Sequence, residues 1–173
     1  TLGVNKLFPT SQKEVYTQLI MELTQTSQTE GRNLRNADSW YRHGKVRHGF
    51  THNGEIMGSG LGSSGNAQYL EVSRVKGFTK IGGAFERYLH NQEILTKAFD
   101  GLTDFTRPWV DYNLHGFIDK QFGDILLSGT VSYTRSVNYQ WKLSLDPRTT
   151  ILPFFPLVNR NNLNIDLKIA YLF

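Results

Sequence analysis

Three histidines, His43, His48 and His52, lie close together and raise the question of a metal site. Imidazole is a common ligand for zinc, copper, iron and nickel. Spacings of five and four residues fit no regular strand face, and the three together fit no single helix face. Solvated loop histidines account for them, and no metal is assigned. The same stretch carries Trp40, Tyr41, Arg42, Lys45, Arg47 and Phe50. Aromatic faces stack on sugar rings, and arginine offers planar paired hydrogen bonds to carboxylates. Trp40, Tyr41, Arg42, Arg47 and His52 are therefore the candidate contacts to an acidic polysaccharide. An aromatic girdle with surface charge would explain them nearly as well. Gly60, Gly62 and Gly65 match a G-x-G-x-x-G pattern. A dinucleotide site needs a strand before that pattern and a helix after it. Here a strand-like segment follows, so a flexible loop is expected and no cofactor is implied. Asp111, His115 and Asp119 share one side of a strand, but four residues of strand separate carboxylate and imidazole by about 13 Å. No serine sits in a nucleophile-elbow context. No catalytic residue is assigned, and the chain is expected not to be an enzyme.

These residues need a scaffold, and composition narrows it. The chain has 173 residues, with 19 basic and 15 acidic side chains, a net +4 and no cysteine. Cysteine-based zinc sites, disulfides and thiol nucleophiles are excluded. A mild positive charge without a Lys/Arg cluster gives no reason to expect a nucleic-acid partner. The longest apolar run, Ile151–Val158, is interrupted by Pro153 and Pro156, so a bundle of membrane helices is excluded. Glycine and aromatic richness at low mean hydropathy leaves a soluble β protein or a transmembrane β-barrel, whose lipid-facing residues alternate with polar ones. The chain starts at Thr1 without an initiating Met, and is read as a processed or partial chain.

Period-two alternation dominates. Leu163, Ile165, Leu167, Ile169, Tyr171 and Phe173 share one parity. Strands are expected over 13–25, 66–76, 78–90, 108–119, 124–145 and 163–173. The 124–145 segment is read as one long strand, since Val137, Tyr139, Trp141, Leu143 and Leu145 never slip in parity. Links at Lys76–Phe78 and Lys120–Gly123 are tight, while 26–65, 91–107 and 146–162 are long. Outer-membrane barrels show this asymmetry of short periplasmic turns and long external loops. The expected fold is an all-β, transmembrane antiparallel β-barrel wall. Six strands are too few to close, so further strands or another chain must cover the edges. Leu167, Ile169, Tyr171 and Phe173 resemble the C-terminal β-signal by which barrel-assembly machinery recognises a last strand, a form of edge-strand addition.

Several segments resemble the capsule assembly protein Wzi family. They are WYRHGKVRHGFTHNGEIMGSGLGSSGNAQYLEVSRV from Trp40, KIGGAFERYLHN from Lys80, VSYTRSVNYQW from Val131 and the closing aromatic strand. The resemblance implies the C-terminal part of a barrel of about 18 strands in the outer membrane of a Gram-negative bacterium. It implies a lectin-like, non-catalytic protein that helps assemble or anchor capsular polysaccharide or exopolysaccharide at the cell surface. Its partners would be outer-membrane lipid, that polysaccharide and the barrel-assembly machinery. An outer-membrane lipid or glycan hydrolase, or a channel, is the rival reading. A partial barrel held by the assembly machinery would account for a short chain.

Overall fold

Two glycines set the tightest connections in the computed structural model. Gly77 (φ +55°) and Gly123 (φ +57°) each open a two-residue turn at a left-handed backbone angle that a side chain would strain. The structure describes residues 1–27, 41, 45, 50–53, 55–91, 108–141 and 158–171.

Seven strands form one antiparallel sheet: β1 (Leu2–Pro9), β2 (Tyr16–Gln25), β5 (Asn66–Lys76), β6 (Thr79–Leu89), β7 (Val110–Phe122), β8 (Ile125–Val137) and β9 (Arg160–Tyr171). They pair in chain order as an up-and-down meander. A separate two-stranded hairpin, β3 (Thr51–His52) and β4 (Glu55–Ile56), lies between β2 and β5 in the chain. Three short connections, 10–15, 77–78 and 123–124, lie at one end of the sheet. The long ones, 26–65, 90–109 and 138–159, lie at the other. The sheet is open, and both of its edge strands run from the long-loop end to the short-turn end.

Two expectations need correction. β1 is an additional strand. Lys6 interrupts its apolar parity and Leu7 falls on the polar parity, which hides the strand in the sequence. Its Pro9 is tolerated because β1 is an edge. The expected strand over 124–145 ends at Val137. Asn138, Gln140 and Trp141 take positive φ values of 54°, 53° and 50°, and Tyr139–Trp141 forms a 3-10 turn. Tyr139 N donates to Val158 O (2.7 Å) and Asn138 N to Asn159 Oδ1 (3.2 Å), so the chain is turning back here rather than extending. Residues 142–145 lie outside the described residues.

Unbroken pairing fixes which side chains share a face. One face carries Leu70, Val72, Phe85, Leu114, Ile118, Val131, Tyr133, Leu163, Ile165 and Leu167. The other carries Glu71, Ser73, Lys80, Glu86, Asn113, His115, Ser128, Thr130, Ser132 and Thr134. Exposure runs opposite to the usual soluble pattern. Along β7 and β8 the apolar positions are almost all exposed and the polar ones, Gln121 apart, half-buried or buried. A sheet that curls toward its polar side crowds those side chains and spreads the apolar ones. Among the described residues only Val15, Ala84, Leu89 and Val110 are buried hydrophobics, so this sheet has no oily core of its own.

Candidate functional site

The polar face is held by side-chain hydrogen bonds that run across strands. Glu71 is 6% exposed. It accepts from Tyr69 Oη (2.7 Å) and Ser73 Oγ (3.1 Å), and pairs with Lys80 Nζ at 2.6 Å. Asn113 donates to Glu86 (2.9 Å) and accepts from Thr134 (2.7 Å), linking β6, β7 and β8. His115 Nδ1 and Ser132 Oγ are 2.8 Å apart, and Ser128 donates to Asp119. A buried carboxylate is tolerable only when paired and hydrogen-bonded, as Glu71 is. Asp111, His115 and Asp119 do share this face, as their spacing on one strand requires, and each takes a different partner.

At the long-loop end Asp111 joins a cluster that sequence spacing does not show. His90 follows β6 and Trp109 precedes β7, and His90 N donates to Trp109 O (3.0 Å). The His90 ring stacks on the Trp109 indole with centroids 3.4 Å apart. His90 Nε2 lies 2.7 Å from Asp111 Oδ2, and Trp109 Nε1 donates to Asp111 Oδ1 at 2.9 Å. Tyr88 meets His90 edge-on, while Tyr139 and Trp141 meet Trp109 edge-on. Burial pushes the His90 pKa below its ordinary value, and the Asp111 carboxylate only partly opposes that. The pair is therefore a neutral imidazole hydrogen-bonded to a carboxylate rather than a full ion pair. The cluster is assembled by antiparallel pairing of β6 with β7, which brings together residues 21 apart in the chain.

The residues singled out from the sequence fall in several places. Tyr41 has a positive φ (66°), and its carbonyl accepts from Phe50 N (2.9 Å). Its hydroxyl accepts from Ser59 N (3.0 Å), and a side chain at Gly58 would collide with its ring. Tyr41 thus braces the segment before β5. His52 is exposed at the tip of the β3–β4 hairpin, paired with Glu55 in the ladder. Trp40, Arg42 and Arg47 lie outside the described residues, as do His43 and His48. Among the described residues no three His, Asp or Glu side chains are grouped to hold a metal. Leu167, Ile169 and Tyr171 lie on the apolar face of β9 at 75%, 77% and 60% exposure, while Phe173 lies outside the described residues.

The glycine-rich stretch departs from the loose loop expected of it. Thr26 N donates to Gly65 O (2.9 Å), and Gly65 N donates to Thr26 Oγ1 (2.9 Å). Ser63 and Ser64 are buried beside this clasp, which ties the end of β2 to the start of β5. A strand, not a helix, follows Gly65, so the geometry that presents a helix N-terminus to phosphate is lacking here. Compared with protein-family models, with curated proteins and with solved structures, the chain matches none.

Proposed function

We propose that this sheet is part of the wall of an outer-membrane β-barrel, and that the barrel helps assemble or anchor a surface polysaccharide without catalysing a reaction. One observation carries the first half: the oily face is the open one and the polar face is the enclosed one. On interior strands Leu114 and Val131 at 59% and 47% exposure, against Ser73 at 2%, reverse the order water would impose. Hydrocarbon outside and a hydrated interior inside would make that order favourable.

The dimensions agree. From Arg135 to Ile125 the apolar side of β8 runs about 33 Å, which a strand tilt of about 40° reduces to about 25 Å, the height of a barrel's lipid-facing band. The band also slides across the register, as tilted strands require. One register row reads Leu2, Leu23, Gln68, Arg87, Tyr112, Arg135 and Asn161. It is oily only at its β1–β2 end. A lower row reads Lys120, Leu127 and Ile169, and is oily only at its β8–β9 end. Arg87 Nη1 donates to Gln68 (2.9 Å) along the upper border, where headgroups and water would meet the protein.

Seven strands with parallel-running edges cannot close on themselves antiparallel, and neither can two copies placed in one orientation. An odd number of further strands completes the wall. The polysaccharide half of the reading rests on the resemblance to the Wzi family and on the aromatic, hydroxyl and amide groups at the long-loop end. The test is fractionation and complementation. The protein is expected in the detergent-soluble outer-membrane fraction, and disrupting its gene is expected to release polysaccharide from cells into the medium. Recovery in the soluble fraction without detergent would overturn the barrel reading. Unchanged retention of polysaccharide would overturn the second half alone.

A further inference from the structure

On the polar face, between the long-loop ends of β2, β5, β6 and β7, lies a cavity of about 510 Å³. Its volume is within the usual range for small-molecule sites, roughly 300–1,000 Å³. Glu22 and Thr24 form one wall, Tyr69 another, and Glu86, Tyr88 and Asn113 a third, with the Ser59–Leu61 turn over one side. Part of this lining is already fixed. The Tyr69 hydroxyl is held by Glu71, and Glu86 accepts from Asn113 on one oxygen. The Tyr88 hydroxyl reaches Gly60 O at 3.4 Å, a long bond that ties the ring to the overlying turn. Glu22 carries no hydrogen bond or ion pair among the described residues, so its carboxylate oxygens remain open acceptors.

Among the described residues no lysine or arginine lines this space. On the polar face Lys80 is committed to Glu71. Two carboxylates flank the cavity with tyrosine rings beside them, and no group of three metal-ligating side chains exists among the described residues. The space is also far larger than a bare ion needs. Sugar rings fit such a wall. Their C–H faces lie against tyrosine rings, and their hydroxyl groups donate to carboxylate oxygens in charge-assisted hydrogen bonds. An anionic sugar would meet two like charges with no compensating cation among the described residues.

We infer that the cavity receives a neutral or amino-sugar unit of a glycan and turns away uronate units. This rests on the reading of the protein as a polysaccharide anchor, and it narrows the acidic ligand that Arg42 and Arg47 suggest. The experiment is a glycan array probed with the full protein in detergent, followed by titration of the best binders. The array carries neutral oligosaccharides, chitosan oligomers and oligogalacturonates. Neutral or amino-sugar chains are expected to bind, and Glu86→Gln and Tyr88→Ala should each weaken them by about tenfold or more. Thermal unfolding of each variant in detergent is the check against misfolding, and Glu22→Gln, whose side chain has no partner among the described residues, should keep the wild-type midpoint. The double substitution Glu22→Gln/Glu86→Gln should admit oligogalacturonates that the wild type refuses. Oligogalacturonate binding that persists through the cavity variants would overturn the assignment and leave polysaccharide anchoring intact. An array blank for every class would overturn both.

Discussion

The two faces of this sheet share one backbone and one hydrogen-bond ladder, yet they obey opposite rules. On the polar face side chains are crowded, partnered and short of room. Glu71 has three partners there, and a side chain on Gly82 would meet Val72 O at 2.5 Å and Ser73 Cβ at 2.6 Å. On the apolar face Gly116 would meet nothing within 4 Å, and Leu114 stands 59% exposed. The difference teaches that the interior of this structure is its polar side. The oily side packs only sparsely within the sheet, as where Phe85 stacks on Tyr112, and the proposed bilayer would supply the rest of its stabilisation.

A charge placed on each face breaks or keeps that contrast most strongly. Leu114→Arg at mid-height of β7 is expected to destabilise the protein in bilayers by about 2–4 kcal/mol. Thr130→Arg, on the polar face and opposite Asp166 in the register, should cost far less. Denaturant unfolding in lipid vesicles measures both. Equal penalties would mean the two faces meet the same solvent. Glycine substitutions sharpen the comparison without charge. Gly82→Ala should cost about 2 kcal/mol through overpacking, whereas Gly116→Ala should stay within about 0.5 kcal/mol. A third contrast concerns the buried carboxylate. Lys80 is partly exposed, so losing its pairing is expected to cost only about 1–2 kcal/mol in Lys80→Met. Glu71→Gln added to that variant should recover much of the loss, which a double-mutant cycle reads directly.

Much of this contrast was legible in the sequence. β7, β8 and β9 alternate so regularly that parity alone assigns their faces, and Gly77 and Gly123 mark the tight turns. Alternation failed where something other than the sheet decided the backbone. Tyr139 and Trp141 keep the apolar parity of β8, but their rings pack against Trp109, and left-handed backbone angles turn the chain. Lys6 and Leu7 mask β1 because an edge strand tolerates a broken pattern. The His90–Asp111 contact and the Glu22–Glu86 cavity depend on which strands are neighbours and in what register, and composition carries neither fact. Tyr41 shows the converse. Its type suggested a sugar contact, while its hydroxyl and ring are engaged in holding the segment that precedes β5.

The smallest expected effect lies where the two faces end, at the long-loop rim. His90 is stacked on Trp109 and half-buried, and this desolvation holds its native pKa below the ordinary value of about 6.5. As pH falls through that ordinary value, the unfolded chain takes up a proton before the native imidazole does. Stability is therefore complete above about 6.5 and declines as pH drops toward the lowered native pKa. Below that value the native state is protonated as well, and the loss levels off. The His90 contribution is isolated by difference between wild type and variant. In His90→Gln the step just below neutrality should vanish, while the more acidic part of the curve stays unchanged. Trp109 fluorescence gives a local reading of the same event, because a protonated imidazole stacked on indole quenches it. A step that survives in His90→Gln would assign the titration to another group and remove His90 from the rim's pH response.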